Sequence, residues 1–179
     1  LDRSSAASDV YKRQLLIMSQ PPGDQALDFF PFLTNPIIAV APPQHPLCAR
    51  EQLRLADLGA YPLLVREPGS GTRKACEEYC HQKRAHFAQT LEVGSTESQV
   101  EGAIAGLGLA LLPRHAVRLE LAQGLLRQLP VAELPLQRSW CVVHPRGKHL
   151  SPVAQAFRDF IRQERAQIAA LERRFGMSD

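Results

Sequence analysis

Apolar residues recur along this chain in two rhythms, short unbroken runs and helically spaced stripes, and their order predicts its elements. Leu15-Leu16-Ile17-Met18 reads as a buried strand, ending in the loop Ser19-Gln20-Pro21-Pro22-Gly23, which suits the edge of a crevice. Residues 27–33 are aromatic and apolar. Asn35-Pro36 introduces a second run, residues 37–41, closed by Pro42-Pro43 and read as a strand leaving one structural unit for another. Leu53, Leu55 and Leu58 suggest a short helix stopped by Gly59.

A buried strand over residues 62–66 then gives way to Glu67-Pro68-Gly69-Ser70-Gly71-Thr72-Arg73, and a helix is predicted over about residues 72–83. A strand at residues 89–93 runs into a second polar turn, Gly94-Ser95-Thr96-Glu97, and Val100, Ala103, Ile104 and Leu107 keep a helical period. Residues 109–112 make a third strand, a helix from Pro113 ends at Gly124, and residues 125–129 form a further short strand. Strand and helix thus alternate three times, which predicts a mainly parallel sheet covered by helices on both faces. Right-handed crossovers put the turns at Ser70 and Ser95 on one edge of that sheet. Open sheets of this kind bind ligands outside the carboxyl ends of their strands. Ser70 or Thr72 can cap a helix, the helix-start N–H groups carry partial positive charge, and glycine lets backbone approach a ligand. A plain turn with a capped helix is the bland alternative.

Residues 138–144 read as a strand returning the chain to the first unit. Ser151-Pro152 opens a helix with Ser151 as its cap, and Val153, Ala156, Phe157, Phe160 and Ile161 give it one apolar face. The helix can continue through Ile168, Leu171 and Phe175. Two crossing strands, residues 37–41 and 140–144, imply two lobes on a double hinge. The first would take residues 15–41 and 137–179, and the second residues 42–136, a size that can hold its own core. Residues 1–14 (LDRSSAASDVYKRQ) have no period and resemble a leader of cloning or adapter origin, a displaced native tail being the alternative. The chain begins at Leu1 rather than methionine, so it is expected to be processed or a fragment.

Composition narrows the function classes. With 179 residues, 45% hydrophobic and 22% charged, the chain reads as soluble and globular. A formal charge of +3, spread along the chain, is no nucleic-acid footprint, which needs a clustered basic face. No apolar run approaches the roughly 20 residues of a membrane span and no secretory signal is visible, so the expected place is the cytoplasm, without a membrane partner. Cys48, Cys76, Cys80 and Cys141 lack zinc-ribbon spacing. Cys76 and Cys80 share a helix face beside His81, too few ligands for a metal and poorly placed for a disulfide, so reduced thiols are expected and neither metal nor cofactor is assigned.

Four strings in series, NPIIAVAPPQHPL, LLVREPGSGTR, LEVGSTESQVEGAIAGLGLALLPRHAV and RSWCVVHPRGKHLSPVAQAFRDFI, resemble the effector-binding region of LysR-type transcriptional regulators. The match runs from about Leu15 to Arg162, and REPGSGTR and HPRGKHLSPVAQAFRDF look most like the branch that regulates carbon-fixation operons. The resemblance implies an α/β fold of periplasmic-binding-protein type II, with two lobes, the first incomplete here. It implies a small effector bound between lobes, a homo-oligomer, and operator DNA reached only through an N-terminal winged helix-turn-helix that has no counterpart before Leu15.

Carried over by position, the effector side is Ser70, Gly71 and Thr72 with Arg66 and Arg73 nearby, faced by Ser95, Thr96 and Glu97, with Ser19 closing the site. Hydroxyls, helix starts and arginines favour an anion, a phosphorylated metabolite or a carboxylate. Arg66 and Arg73 have the alternative of pairing with Glu67 or surface carboxylates, and Ser95 that of being only a cap. Peroxide-sensing members place a reactive cysteine where this chain has Gly71, although Cys80 falls near its partner's position, so a sensing disulfide is not expected. Two rivals remain. An α/β hydrolase-type enzyme would use Ser70 or Ser95 with His45, His115 or His144, but Gly69-Ser70-Gly71 lacks the G-x-S-x-G elbow. A periplasmic solute receptor shares the two-lobe architecture but needs an export signal.

Overall fold

The structure, a computed structural model, describes residues 14–19, 21 and 26–174. Most of the expected leader, part of the loop after Ser19, and Phe175 lie outside the described residues. The chain divides into two compact units, one taking the residues up to Asn35 and from Arg138 onward, the other spanning Pro36–Gln137.

In the first unit, β1 (Leu16–Ser19), β2 (Leu27–Thr34) and β8 (Ser139–Pro145) form an antiparallel sheet in the order β1-β8-β2. Leu27, Cys141 and Val143 make its buried centre, with Leu16 and Met18 packed against them. Gln14, assigned by sequence to the leader, accepts the Ser151 N–H at 3.0 Å. The closing helix, here α4 (Pro152–Arg174), starts as expected, with Ser151 Oγ accepting the Ala154 N–H at 3.3 Å. Its apolar stripe departs from expectation: Ile161 is buried, but Val153 is 79% and Phe160 56% exposed. A helix of 23 residues is about 34 Å long, and within this unit it packs on β2, where the Arg162 guanidinium lies 4.7 Å from the centre of the Phe30 ring.

The second unit holds a sheet in the order β5-β4-β6-β3-β7. Its strands are β3 (Ile37–Ala41), β4 (Leu63–Arg66), β5 (Thr90–Val93), β6 (Leu109–Pro113) and β7 (Arg127–Gln128). β4 is parallel to β5 and β6, β3 is antiparallel to β6, and β7 is antiparallel to β3, so only β3 runs against the rest. The mainly parallel sheet is as expected. Assigning residues 37–41 to the first lobe is corrected: β3 pairs with β6 and β7, and the chain changes units at Asn35/Pro36 and Gln137/Arg138. A five-residue strand buried along its whole length needs neighbours on both sides, and the second sheet supplies them.

Side-chain alternation sorts these strands onto two cores. Ile37, Ala39, Leu63, Leu109 and Leu111 pack with Cys76 and Cys80 of α1 (Gly71–Gln82). Ile38, Val40, Leu64, Ala110 and Leu112 pack with Val100 and Ala103 of α2 (Thr96–Ile104). The two helices therefore cover opposite faces, which is why the central strands read as unbroken apolar runs. The short α3 (Arg118–Ala122) follows a 3₁₀ turn at Arg114–Val117. The helix expected to stop at Gly59 is instead a 3₁₀ turn, Leu55–Ala60, that runs through the glycine. All four cysteines are free thiols, and burial pushes that of Cys80 up to about 11, a poor nucleophile. Among the described residues no helix is long and apolar enough to cross a membrane.

Candidate functional site

The site is assembled by strand register. β4 and β5 pair in parallel from Leu63–Thr90 to Arg66–Val93, so both strands end side by side and both polar turns leave the same edge. After Arg66 the chain turns through Glu67-Pro68-Gly69-Ser70, with the Ser70 N–H donating to the Glu67 carbonyl at 3.2 Å. Gly69 sits at φ 98° after proline, the positive φ required at the third position of such a turn. Ser70 then caps α1, its Oγ accepting the Arg73 N–H at 3.4 Å, and Ser95 caps α2, its Oγ accepting the Ser98 N–H at 3.0 Å. A Cβ on Gly71 would meet nothing within 4 Å, so steric need does not explain the glycine there.

Arginines join the two turns. Arg66 Nη1 donates to Thr96 Oγ1 at 2.5 Å, while Nε and Nη2 donate to the two oxygens of Glu67 at 2.7 and 2.9 Å. Arg73 is tied down on three sides: Nη1 donates to the Arg66 carbonyl at 2.7 Å and to Glu92 at 2.8 Å, and Nε to Glu77 at 2.7 Å. It ties α1 to β4 and β5. The structure thus places both arginines in the carboxylate pairs weighed as their alternative. The Arg66 hydrogen bond holds the Glu67 carboxyl below its ordinary range, and the bonds to Glu77 and then Glu92 raise Arg73. Glu97 is also held low, first by its own backbone N–H and then by the Ser95 hydroxyl. Two arginines beside Glu67, Glu77, Glu92 and Glu97 leave no excess positive charge, so pull on an anion comes from oriented N–H groups and from exchange of partners.

A cavity of about 240 Å³ adjoins the corner, lined by Arg66, Thr72 and Gln99 and by the apolar Leu63, Cys76 and Leu111. Arg73 also lines it, whereas Ser70, Gly71, Ser95, Thr96 and Glu97 stand outside its walls and Thr96 meets it through Arg66. Ser19 is half-buried at the end of β1 in the other unit.

Gln99 is the residue that sequence reading missed. β6 pairs with β4 only at Leu63–Leu109 and Leu64–Ala110, and where the strands part the buried Gln99 donates Nε2 to the Leu64 carbonyl at 2.7 Å. Its Oε1 has no hydrogen-bond partner. The signal in the sequence was an amide next to Val100 and four residues before Ala103, on the stripe facing the sheet.

The serine caps carry a prediction. Ser95→Ala should cost about 1 kcal/mol in urea unfolding, and Ser70→Ala less, because its capping bond is the longer, 3.4 against 3.0 Å.

The model of the LysR substrate binding domain family matches residues 11–166. A RuBisCO operon transcriptional regulator of Allochromatium vinosum is 35% identical over 154 residues, 86% of this chain and 51% of that protein. The regulator CbbR of Xanthobacter flavus is 41% identical over 152 residues, 84% of this chain and 46% of that one. The chain spans about half the length of the curated relatives it matches. Among solved structures, the regulatory domain of CcmR from Synechocystis PCC6803 in complex with 2-PG is 33% identical. It has a TM-score of 0.77 and covers 84% of this chain and 73% of that one.

Proposed function

We propose that this chain, which belongs to the LysR substrate binding domain family, senses a small anionic effector for a transcription regulator. The anion sits at the paired strand ends of β4 and β5, with Arg66, Thr72 and Thr96 as its principal side-chain contacts and Arg73 as the clamp that fixes the corner. Ser70, Gly71, Ser95 and Glu97 shape the two helix starts. One observation carries the reading: the Arg66–Thr96 hydrogen bond at 2.5 Å joins two helix-starting turns that leave the same sheet edge. Thr72, on the first turn, shares a cavity with Arg66, so both hydroxyl-bearing corners serve one location.

The relatives are transcription regulators, which favours this reading over an exported receptor or a hydrolase. The serine hydroxyls imagined as nucleophiles are in use as helix caps. The relative bound to 2-PG makes a phosphorylated carboxylate, such as 2-phosphoglycolate, the first effector to try, and carbon-fixation genes the proposed target. DNA contact through a separate domain and self-association belong to the same proposal. Sensing requires only that the effector bind one conformation of the protein better than another.

The test is a thermal-shift screen of the intact protein against 2-phosphoglycolate, sugar phosphates, nicotinamide nucleotides and simple oxyanions. A hit should lose about tenfold in affinity in Thr72→Ala and in Thr96→Ala, the scale of one hydrogen bond to a charged group. A ligand that binds both variants as tightly as the parent removes the site assignment.

A further inference from the structure

We propose that Glu67 is a built-in competitor for the effector, occupying the fork of Arg66 until an anion with two suitably spaced oxygens displaces it. The inference rests on reading this corner as an anion site and specifies what such an anion must be. A guanidinium matches carboxylate or phosphate along one edge, with two parallel N–H bonds. In Arg66 that edge, Nε and Nη2, is filled by the two oxygens of Glu67 at 2.7 and 2.9 Å. The remaining nitrogen, Nη1, is held by Thr96. An incoming anion therefore meets a fork already satisfied by a carboxylate of the chain.

Two features make Glu67 replaceable while Arg66 stays in place. The Glu67 side chain is 40% exposed, so a released carboxylate regains water, whereas the Arg66 side chain is 20% exposed and anchored to the second turn through Thr96. Glu67 also belongs to the residue next to Arg66, so letting go requires rotation about side-chain bonds and no movement of β4. The pair is part-buried and bidentate, so its replaceability rests on the carboxylate half, which faces water and can be released without unburying Arg66. A ligand that makes the same two bonds and adds contacts to the helix starts outcompetes that carboxylate; a spherical halide, a single acceptor atom that cannot reproduce two parallel bonds, does not. The effector is thus a carboxylate or phosphate monoester rather than a simple halide, and Glu67 sets the concentration at which it is sensed.

The experiment is calorimetric titration of the intact protein and its Glu67→Gln variant with 2-phosphoglycolate, inorganic phosphate and sodium bromide. Glu67→Gln should bind 2-phosphoglycolate or phosphate about threefold to tenfold more tightly, with bromide binding neither protein. The ratio should persist in about 0.5 M salt, where long-range fields are screened to a few ångströms. Glu67→Ala, which cannot reach the fork, should behave like Glu67→Gln, and unfolding curves check that both variants fold. If the parent binds and the variants bind equally or more weakly, or the gain vanishes in high salt, Glu67 is not a competitor although the site stands. Absence of oxyanion binding to parent and variants alike overturns the anion-site reading and this inference with it.

Discussion

Arg66→Ala is expected to weaken binding of an oxyanion effector about 10- to 100-fold, the largest loss of any single substitution at the corner. Hydrogen bonds to charged groups are worth about 1.5–3 kcal/mol each, and this side chain supplies both the fork and the link to Thr96 at 2.5 Å. Stability should fall far less, by about 1 kcal/mol or below, because its carboxylate partner is 40% exposed and can return to water. Calorimetry with 2-phosphoglycolate beside urea unfolding separates the two. A variant that binds as the parent does would show that the anion never meets this guanidinium. Arg66→Lys is not a conservative control, since an ammonium cannot present a planar fork.

Gly59→Ala is expected to act in the opposite way, through stability with no contact to ligand. A Cβ at this position would lie 2.1 Å from the backbone carbonyl oxygen of His86. That oxygen is on main chain and cannot rotate aside as a side chain would. The neighbouring segment is held in turn by the Ala88 N–H donating to the Gly59 carbonyl at 3.2 Å. Relief requires moving the loop that leads into β5, and β5 carries the second turn of the site. A loss of about 3 kcal/mol or more is expected, beyond ordinary overpacking, seen as a lower urea midpoint. A midpoint within about 0.5 kcal/mol of the parent, the spread of a neutral surface change, would mean that the His86 carbonyl does not crowd position 59.

Gly59 also shows where sequence reading stops. In the string it looked like a helix stop, because a glycine after an apolar stripe commonly is one. What demands glycine there is a carbonyl 27 positions away in the chain, and nothing local announces it. The apolar face of α4 teaches a related lesson. Its period was readable, yet period shows only which residues share a face and not whether anything covers it; Phe160 is 56% exposed.

The alternation of strands and helices over residues 62–129, the two serine caps and the common edge of the two polar turns are legible in the string of residues alone. Each follows from local rules: side-chain period, hydroxyl capping and the handedness of crossovers. Tertiary structure decided three things that local rules do not reach. It placed β3 in the second sheet, because pairing partners are chosen by neighbouring strands. It brought Gln99 to the gap between β4 and β6, because that gap exists only once the strands part after Leu64. And it joined Arg66 and Arg73 to carboxylates, because charge pairing depends on distances across the fold, and these carboxylates lie within 2.9 Å.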